Sequence, residues 1–387
     1  MKVLFITHHY LHLSGGGSFA SRAFINAFAE LADECVLLYP DNGQSIKPYI
    51  NDRVQLMGVR NKISNLGKIA DLYIGRINRF YNILFPTVNK LQPDIVVFDN
   101  SLASSGYIKK LKKQNIKVIT IHHNYEMEYY KGTPPNILWR VPLMYYIKKT
   151  EKEAVLYSDL NLCLTGSDIQ LLKKNYDLSN QSVFEKIGIF EYKTNSNSVP
   201  IFNNKANENI VFAITGSLSS YQTETSLFNF FNNYYPIILK LLPDSFLIVA
   251  GKNPSNKIKD ICSQYSNIQL IPNPENMSAV ISEADIYINP TNVGGGIKLR
   301  TMDGLKLGLP VISHTISSRG YEAFEKANIL YRYDNKHQFE ESLKKLIHLN
   351  KTENFNKNKI LEIYKSLFSF NAGVKRLKDI LRQYSFI

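Results

Sequence analysis

The chain has 387 residues, 44% hydrophobic and 20% charged, which calls for about two domains with buried cores and excludes a disordered polymer. Its three cysteines (Cys35, Cys163, Cys262) fit neither a disulfide framework nor a zinc spacing, no apolar run is long enough to span a bilayer, and the opening MKVLFITHHY is too short in apolar residues for a secretion signal. Lys and Arg number 46 against 33 Asp and Glu, a net +13, which points to a phosphorylated ligand, an acidic membrane surface or nucleic acid. The excess is concentrated between Arg60 and Lys152, where 16 basic residues face six acidic ones, a net +10.

In chain order, Lys2–Thr7 (KVLFIT) predicts a buried parallel strand, followed by a glycine loop, Ser14–Gly17, and a helix over Phe19–Leu31 with apolar residues at helical spacing. Further strands are expected at Glu34–Leu38, Asp94–Phe98, Lys117–Ile121 and Asp159–Leu164, with a lysine-rich helix at Ser105–Lys113 and a helix after Ser167. The Asn-rich stretch 191–209 reads as a linker. The pattern then restarts: strands at Ile210–Thr215, Ser245–Ala250, Asn267–Ile271, Ile286–Asn289 and Pro310–Ser313, with helices at Thr225–Leu241 (interrupted near Pro236), Leu299–Leu307 and Glu340–Leu349. Two consecutive βαβ series imply an α/β protein of two doubly wound, Rossmann-like domains facing each other across a cleft.

Three sequence regions carry chemistry. Gly15, Gly16 and Gly17 lie between the first strand and first helix, where bare amides approach phosphate oxygens. Gly15-x-Gly17-x-x-Ala20 with Asp41 downstream also satisfies a dinucleotide pattern, but the loop starts some seven residues past the strand, where that pattern wants a tight turn. His122, His123, Asn124 and Glu126 follow a strand end, as His8 and His9 do, and polar groups there point into a ligand crevice. A buried imidazole satisfied by backbone is the competing reading. Pro290–His314 is the richest segment. Gly294, Gly295 and Gly296 lead into a helix bearing Lys298, Arg300 and Asp303, which combines free amides, a helix N-terminus and two cations, a diphosphate-binding constellation. Helical spacing predicts that only one of the two cations faces the phosphates. Asp303 is expected either to accept hydrogen bonds from sugar hydroxyls or to pair with a lysine. Gly216, Ser217, Gly251, Lys252 and Asn273 are further strand-end candidates in the second half.

GGGIKLRTMDGLKLGLPVISH (Gly294–His314) resembles the donor-site signature of the retaining family-4 type glycosyltransferases of GT-B architecture, the group 1 glycosyl transferases. FAITGSLSSYQTETSLFNFF (Phe212–Phe231), HHNYE (His122–Glu126), the N-terminal glycine loop and LFSFNAGVKRLKDIL (Leu367–Leu381) fit the same family, so the resemblance runs over nearly the whole chain. It implies an N-terminal acceptor domain over 1–190, a donor domain over 210–365 and a last segment, 366–387, returning to the first domain. It also implies a nucleotide-diphosphate sugar, UDP-sugar favoured, as co-substrate rather than cofactor. Donor binding falls to Gly216, Ser217, Gly251, Asn273, Gly294–Gly296 and Arg300, and acceptor or phosphate binding to Gly15–Gly17, His122, Asn124 and Glu126. His123, Lys298 and Asp303 fall at the chemistry, with no metal; the absence of any Asp-x-Asp triplet agrees. One departure stands out: of the two glutamates that many members space seven residues apart, this chain has Gly295 at the first position and Asp303 at the second. A catalytically silent, GT-B-like binding or complex-stabilising protein is the alternative; nucleic-acid binding and nicotinamide chemistry have little to support them. The expected setting is assembly of a bacterial surface polysaccharide, in the cytoplasm. The basic, apolar segment Leu66–Leu91 would serve an anionic inner leaflet that presents a lipid-linked saccharide.

Overall fold

Short aliphatic runs become the strands of two fully parallel sheets. The computed structural model describes residues 1–60, 80, 82–104, 106–131, 137–177, 179–192, 209–352 and 356–387; most of the expected linker and the 66–79 part of the basic apolar segment lie outside them. The chain divides into two compact units. The first joins the N-terminal residues to Leu367–Ile387, and the second ends at Ser366.

The first unit contains β1 (Lys2–Thr7), β2 (Glu34–Pro40), β3 (Val54–Val59), β4 (Ile95–Asp99), β5 (Lys117–His122), β6 (Leu160–Cys163) and β7 (Phe184–Lys186), in the order β3-β2-β1-β4-β5-β6-β7. The second contains β8 (Val211–Ser217), β9 (Phe246–Lys252), β10 (Ile268–Pro272), β11 (Ile286–Asn289), β12 (Val311–His314) and β13 (Leu330–Tyr333), in the order β10-β9-β8-β11-β12-β13. Helices cover both faces, so the central strands are buried throughout: Val3–Thr7, Ile95–Asp99 and Ile286–Asn289 have no exposed residue. Strand order reverses at β1/β4 in the first unit and at β8/β11 in the second. In open parallel sheets a ligand crevice forms at the carboxyl ends of the strands beside such a reversal. Among the described residues no helix is long and apolar enough to cross a membrane.

Several elements differ in extent from the sequence reading, each for a local reason. The first helix runs Gly16–Leu31 and so begins inside the glycine loop, with Gly15 at its N-cap. The expected helix Thr225–Leu241 is two helices, Tyr221–Asn233 and Tyr235–Leu241. Pro236 stands in the first turn of the second, where its missing N–H costs nothing, whereas in mid-helix it would break the ladder. The helix after the second glycine turn is only Arg300–Leu305, which leaves Lys298 in the preceding loop.

Candidate functional site

In the first unit the switch point gathers polar side chains from three strand ends. Asp99, the last residue of β4, is fully buried. Its Oδ2 accepts hydrogen bonds from Thr7 Oγ1 of β1 (2.6 Å) and from Ser21 Oγ of the first helix, and its Oδ1 accepts from His123 Nε2 (2.6 Å). Burial by itself would raise the Asp99 pKa, but the His123 imidazolium outweighs it and holds the carboxyl far below the ordinary range. Burial would likewise lower His123, and Asp99 more than offsets that, so His123 titrates above its ordinary value. Each therefore favours the charged form of the other, which suits His123 to donate a hydrogen bond more than to act as a base.

His9 stacks on this pair, its ring 5.2 Å from that of His123, and lies 4.3 Å from the ring of His8. Burial, with the neighbouring imidazoles His8 and His123, lowers the His9 pKa well below its ordinary value, so His9 is neutral. Its Nε2 is buried without a hydrogen-bond partner. Gly17 packs directly on the ring: a Cβ there would fall 2.3 Å from His9 Cε1. The loop thus brings its backbone over an imidazole pair of which one member is charged and the other neutral. His9, Asp99 and His123 also place their ligand atoms within 4.8 Å of one another, so they are the described group whose donor set could hold a metal ion. Asp99 Oδ1 and His123 Nε2 are already hydrogen-bonded to each other at 2.6 Å, so that pair would have to open to admit a metal ion.

The other candidates of this region take supporting positions. His122 does not join the site: its ring bonds Asn161 Oδ1 on β6 (2.9 Å), and burial lowers its pKa to about 4. Glu126 is buried too. It accepts from Asn100 Nδ2 (2.5 Å), while its backbone N–H donates to Glu151 Oε1 (2.7 Å). Burial pushes Glu126 up to about 7 and Glu151 up to about 8. Asn124 lies against Glu126, where its side-chain amide favours the charged carboxylate. Asp41 is not free for a ribose, because its carboxylate accepts from Arg60 Nε (2.7 Å) and from the Gly43 N–H (2.7 Å). Gly15 has open space on its Cα, and Gly16 opens the helix.

In the second unit the glycine turn, the two cations and a helix N-terminus meet. Gly294 (φ +88°) and Gly296 (φ +66°) adopt the left-handed backbone that favours glycine. Lys298 Nζ donates to the Gly295 carbonyl (2.8 Å) and would lie 2.9 Å from a Cβ at Gly294. The Arg300 guanidinium covers Gly216 at the end of β8 and donates to Thr223 Oγ1 (2.7 Å). Gln222, next to Thr223, packs against Gly294. Both cations therefore converge on the first turn of Tyr221–Asn233, whose N-cap Ser220 accepts from the Thr223 N–H. The helical-spacing argument for a single phosphate-facing cation does not apply here, because Lys298 precedes the helix. A buried scaffold fixes the turn. Asn289 Nδ2 donates to Thr301 Oγ1 (2.9 Å), Thr301 Oγ1 to the Ser317 carbonyl (2.8 Å), and Tyr321 OH to the Lys298 carbonyl (2.9 Å).

Asp303 takes the lysine-pairing alternative, its carboxylate 3.3 Å from Lys306 Nζ. Asn273 works through the backbone: its N–H donates to the Gly251 carbonyl (2.8 Å) and its Oδ1 accepts from the Asn253 N–H (2.9 Å), tying the end of β9 to that of β10. Gly251 packs against Gly216, and Ser217 closes β8 in the open. Asp99, Thr7, Ser21, Gln222 and Thr223 are site residues that sequence reasoning did not select. Gly216→Ala supplies a direct check. Its Cβ would sit 2.5 Å from Arg300 Cζ, so the guanidinium must leave its place over the strand end. Were Arg300 a phosphate contact, the Kd of the variant for a nucleoside diphosphate would rise roughly tenfold by calorimetry; an unchanged Kd would remove Arg300 from the candidate site.

Comparison with known proteins follows this division. The family model described as glycosyl transferases group 1 matches residues 209–348. A relative from Klebsiella pneumoniae, named as an uncharacterized 44.6 kDa protein in cps region, is 31% identical over 121 residues. That match covers 30% of this chain and 31% of the relative, so the chain spans about a third of the curated relative it matches. Sucrose-phosphate synthase from Thermosynechococcus elongatus superposes with a TM-score of 0.69 at 13% identity, covering 99% of each chain. HepE of Anabaena, solved in complex with UDP-glucose, gives 0.64 at 9% identity over 99% of this chain and 100% of that one. A glycosyltransferase from Rickettsia africae ESF-5 gives 0.66 at 13% identity over 99% and 98%. At such identities the shared property is the fold, and the fold is GT-B.

Proposed function

We propose that this chain, a group 1 glycosyltransferase of GT-B fold, moves a sugar from a nucleotide-diphosphate donor to a saccharide or lipid-linked saccharide acceptor. The observation that carries the reading is the convergence of Lys298 and Arg300 on the amides of the Gly294–Gly296 turn and on the first turn of Tyr221–Asn233. Two cations, bare amides and a helix N-terminus suit the two phosphates of such a donor. UDP is the favoured nucleotide, since a structure of the same fold holds UDP-glucose. The Klebsiella pneumoniae relative, named for its cps region, supports a setting in surface polysaccharide assembly. A cytoplasmic location, at the inner leaflet when the acceptor is lipid-linked, belongs to the same reading.

In the transfer, the bond from the anomeric carbon to the diphosphate oxygen breaks and one to the acceptor oxygen forms. A front-side course with retention delivers the acceptor proton to a diphosphate oxygen. Negative charge grows on the leaving diphosphate, and Lys298 and Arg300 stand ready to offset it without rearrangement. That leaves no required task for a metal ion. His123, held protonated by Asp99, donates to a sugar hydroxyl, and neutral His9 can accept from one. The second reading, a silent binding protein, is favoured by one observation, the engagement of Asp303 by Lys306 at 3.3 Å.

A thermal-shift series with UDP, GDP and their hexose conjugates, with and without EDTA, tests the donor assignment. A ligand at about 100 times its Kd stabilises by about 2.7 kcal/mol. The expected result is a UDP-selective rise in Tm that persists in EDTA. A shift abolished by EDTA would overturn the metal-free reading, and no shift with any nucleotide would overturn the donor assignment. Release of UDP on addition of an acceptor separates the enzyme from the silent protein.

A further inference from the structure

His9, Asp99 and His123 stand at the ends of β1, β4 and β5, and their ligand atoms lie within 4.8 Å of one another. Among the described residues they are the one group of His, Cys, Asp and Glu side chains so placed. Their spacing matches a coordination sphere. In a tetrahedral zinc site each donor lies about 2.0–2.1 Å from the ion, so two bound imidazoles hold their ring centres roughly 5 Å apart and neighbouring donor atoms roughly 3.3 Å apart. The ring centres of His9 and His123 are 5.2 Å apart. Asp99 Oδ1 and His123 Nε2, at 2.6 Å, need to part by less than about 1 Å to take an ion between them. Two imidazoles and one carboxylate are the protein donors of an open zinc site, with water at the fourth position. Zinc has a filled d shell and imposes no geometry of its own, so modest side-chain turns complete the sphere.

Two further observations point the group at an ion. His9 Nε2 is buried without a hydrogen-bond partner, and a buried imidazole nitrogen is satisfied by a hydrogen-bonding group or by a metal. The ligands are also held from behind. Asp99 Oδ2 is fixed by Thr7 and Ser21, which leaves Oδ1 as the donor that faces His123. Thr7 Oγ1 accepts from the His9 N–H as well (3.1 Å), so one hydroxyl ties down two of the three ligand residues, as outer partners of metal ligands do. We propose that His9, Asp99 and His123 bind a zinc ion, which competes with the sugar hydroxyls these side chains serve and so inhibits transfer. The ion has no part in the chemistry; it occupies the donors. The competition rests on the glycosyl-transfer reading, whereas binding of the ion is measured without substrate.

The test is calorimetric titration of the full chain, freed of metal with EDTA and dialysed, with zinc chloride and with magnesium chloride. The expected result is a single zinc bound per chain and no magnesium, which prefers an octahedron of oxygens. Ser21→Ala removes an outer partner of Asp99 and should weaken zinc binding roughly 10- to 100-fold. His9→Gln deletes a ligand at similar size and should lose more than that; His9→Ala is the second variant, and Tm without metal shows that each is folded. His337→Ala is the control. Its imidazole is 81% exposed and 3.6 Å from Glu341, a surface pair suited to adventitious zinc, and its loss should leave binding as in the wild type. The proposal is overturned if the wild type binds no zinc, if it binds magnesium equally, or if His337→Ala loses as much as the His9 variants. In the transfer assay, zinc should suppress UDP release, raised acceptor should relieve the suppression, and EDTA should restore the rate. Zinc bound through His9 with undiminished UDP release would overturn the competition. No UDP release under any condition would overturn the glycosyl-transfer reading, and the competition with it, but not the zinc site.

Discussion

Lys298→Ala is expected to lower turnover about 100- to 1000-fold, the loss measured when one preorganised charge contact to a developing anion is deleted. The ammonium group is held in place before any ligand arrives. It donates to the Gly295 carbonyl, and the backbone beneath it is fixed by Tyr321. Its field is strongest when the diphosphate carries its full charge, so kcat should fall more than KM rises. The side chain stands in a loop before the helix Arg300–Leu305, and its removal forfeits the hydrogen bond to the Gly295 carbonyl, so Tm without ligand should fall by only a few degrees. Donor turnover, together with the nucleotide-dependent Tm shift, is the measurement. If turnover is retained while Arg300→Ala abolishes it, the leaving-group role passes to Arg300.

Asp99→Asn should act on stability, with a pH dependence of definite sign. Breaking a buried ion pair from one side costs about 3–5 kcal/mol. The folded pKa of Asp99 lies below its unfolded value, so its share is present above about pH 4 and lost as pH falls further. The folded pKa of His123 lies above 6.5, so its share is complete below about pH 6.5 and lost as pH rises through the folded value. The deficit of the variant is therefore greatest between about pH 4 and 6.5 and shrinks in alkali. At the lower end of that cost the Tm difference near pH 5.5 is roughly 6–12 °C. Thermal denaturation at pH 5.5 and pH 9 decides the matter. An equal deficit at both would mean that Asp99 and His123 are not paired as ions.

What could be read in the sequence and what could not divides along physical lines. β1, β4 and β5 are unbroken aliphatic runs because parallel strands covered on both faces need them, and the runs are visible one residue at a time. β7 is only Phe184–Lys186, at a sheet edge with no buried residue, and leaves no such trace. The helix Ile137–Tyr157 escaped because its inward face includes Thr150 and Glu151, so the pattern that should mark a core-facing stripe reads as polar. The two fold halves of the GT-B architecture are legible from glycine turns and strand ends. Asp99 is different. Its significance depends on β1, β4 and β5 lying side by side, which brings together Thr7 and Asp99, 92 residues apart, and His123 a further 24 residues on. No local window contains that adjacency. The convergence of Lys298 and Arg300 is not legible for a related reason: the helix begins at Arg300, later than the spacing suggests, so the angular rule of a helix does not relate Lys298 to it.

The final helix, Phe370–Gln383, has a consequence for how the protein comes into being. It packs against Gly16–Leu31, Gly373 closes on Phe190, and Arg376 donates to the carbonyls of Ile187 (2.9 Å) and Leu367 (2.6 Å). The first unit is thus completed by a segment that follows the whole of the second. During synthesis the second unit has all its own residues before the first does, so Gly16–Leu31 is expected to find its packing partner only after the second unit has been made.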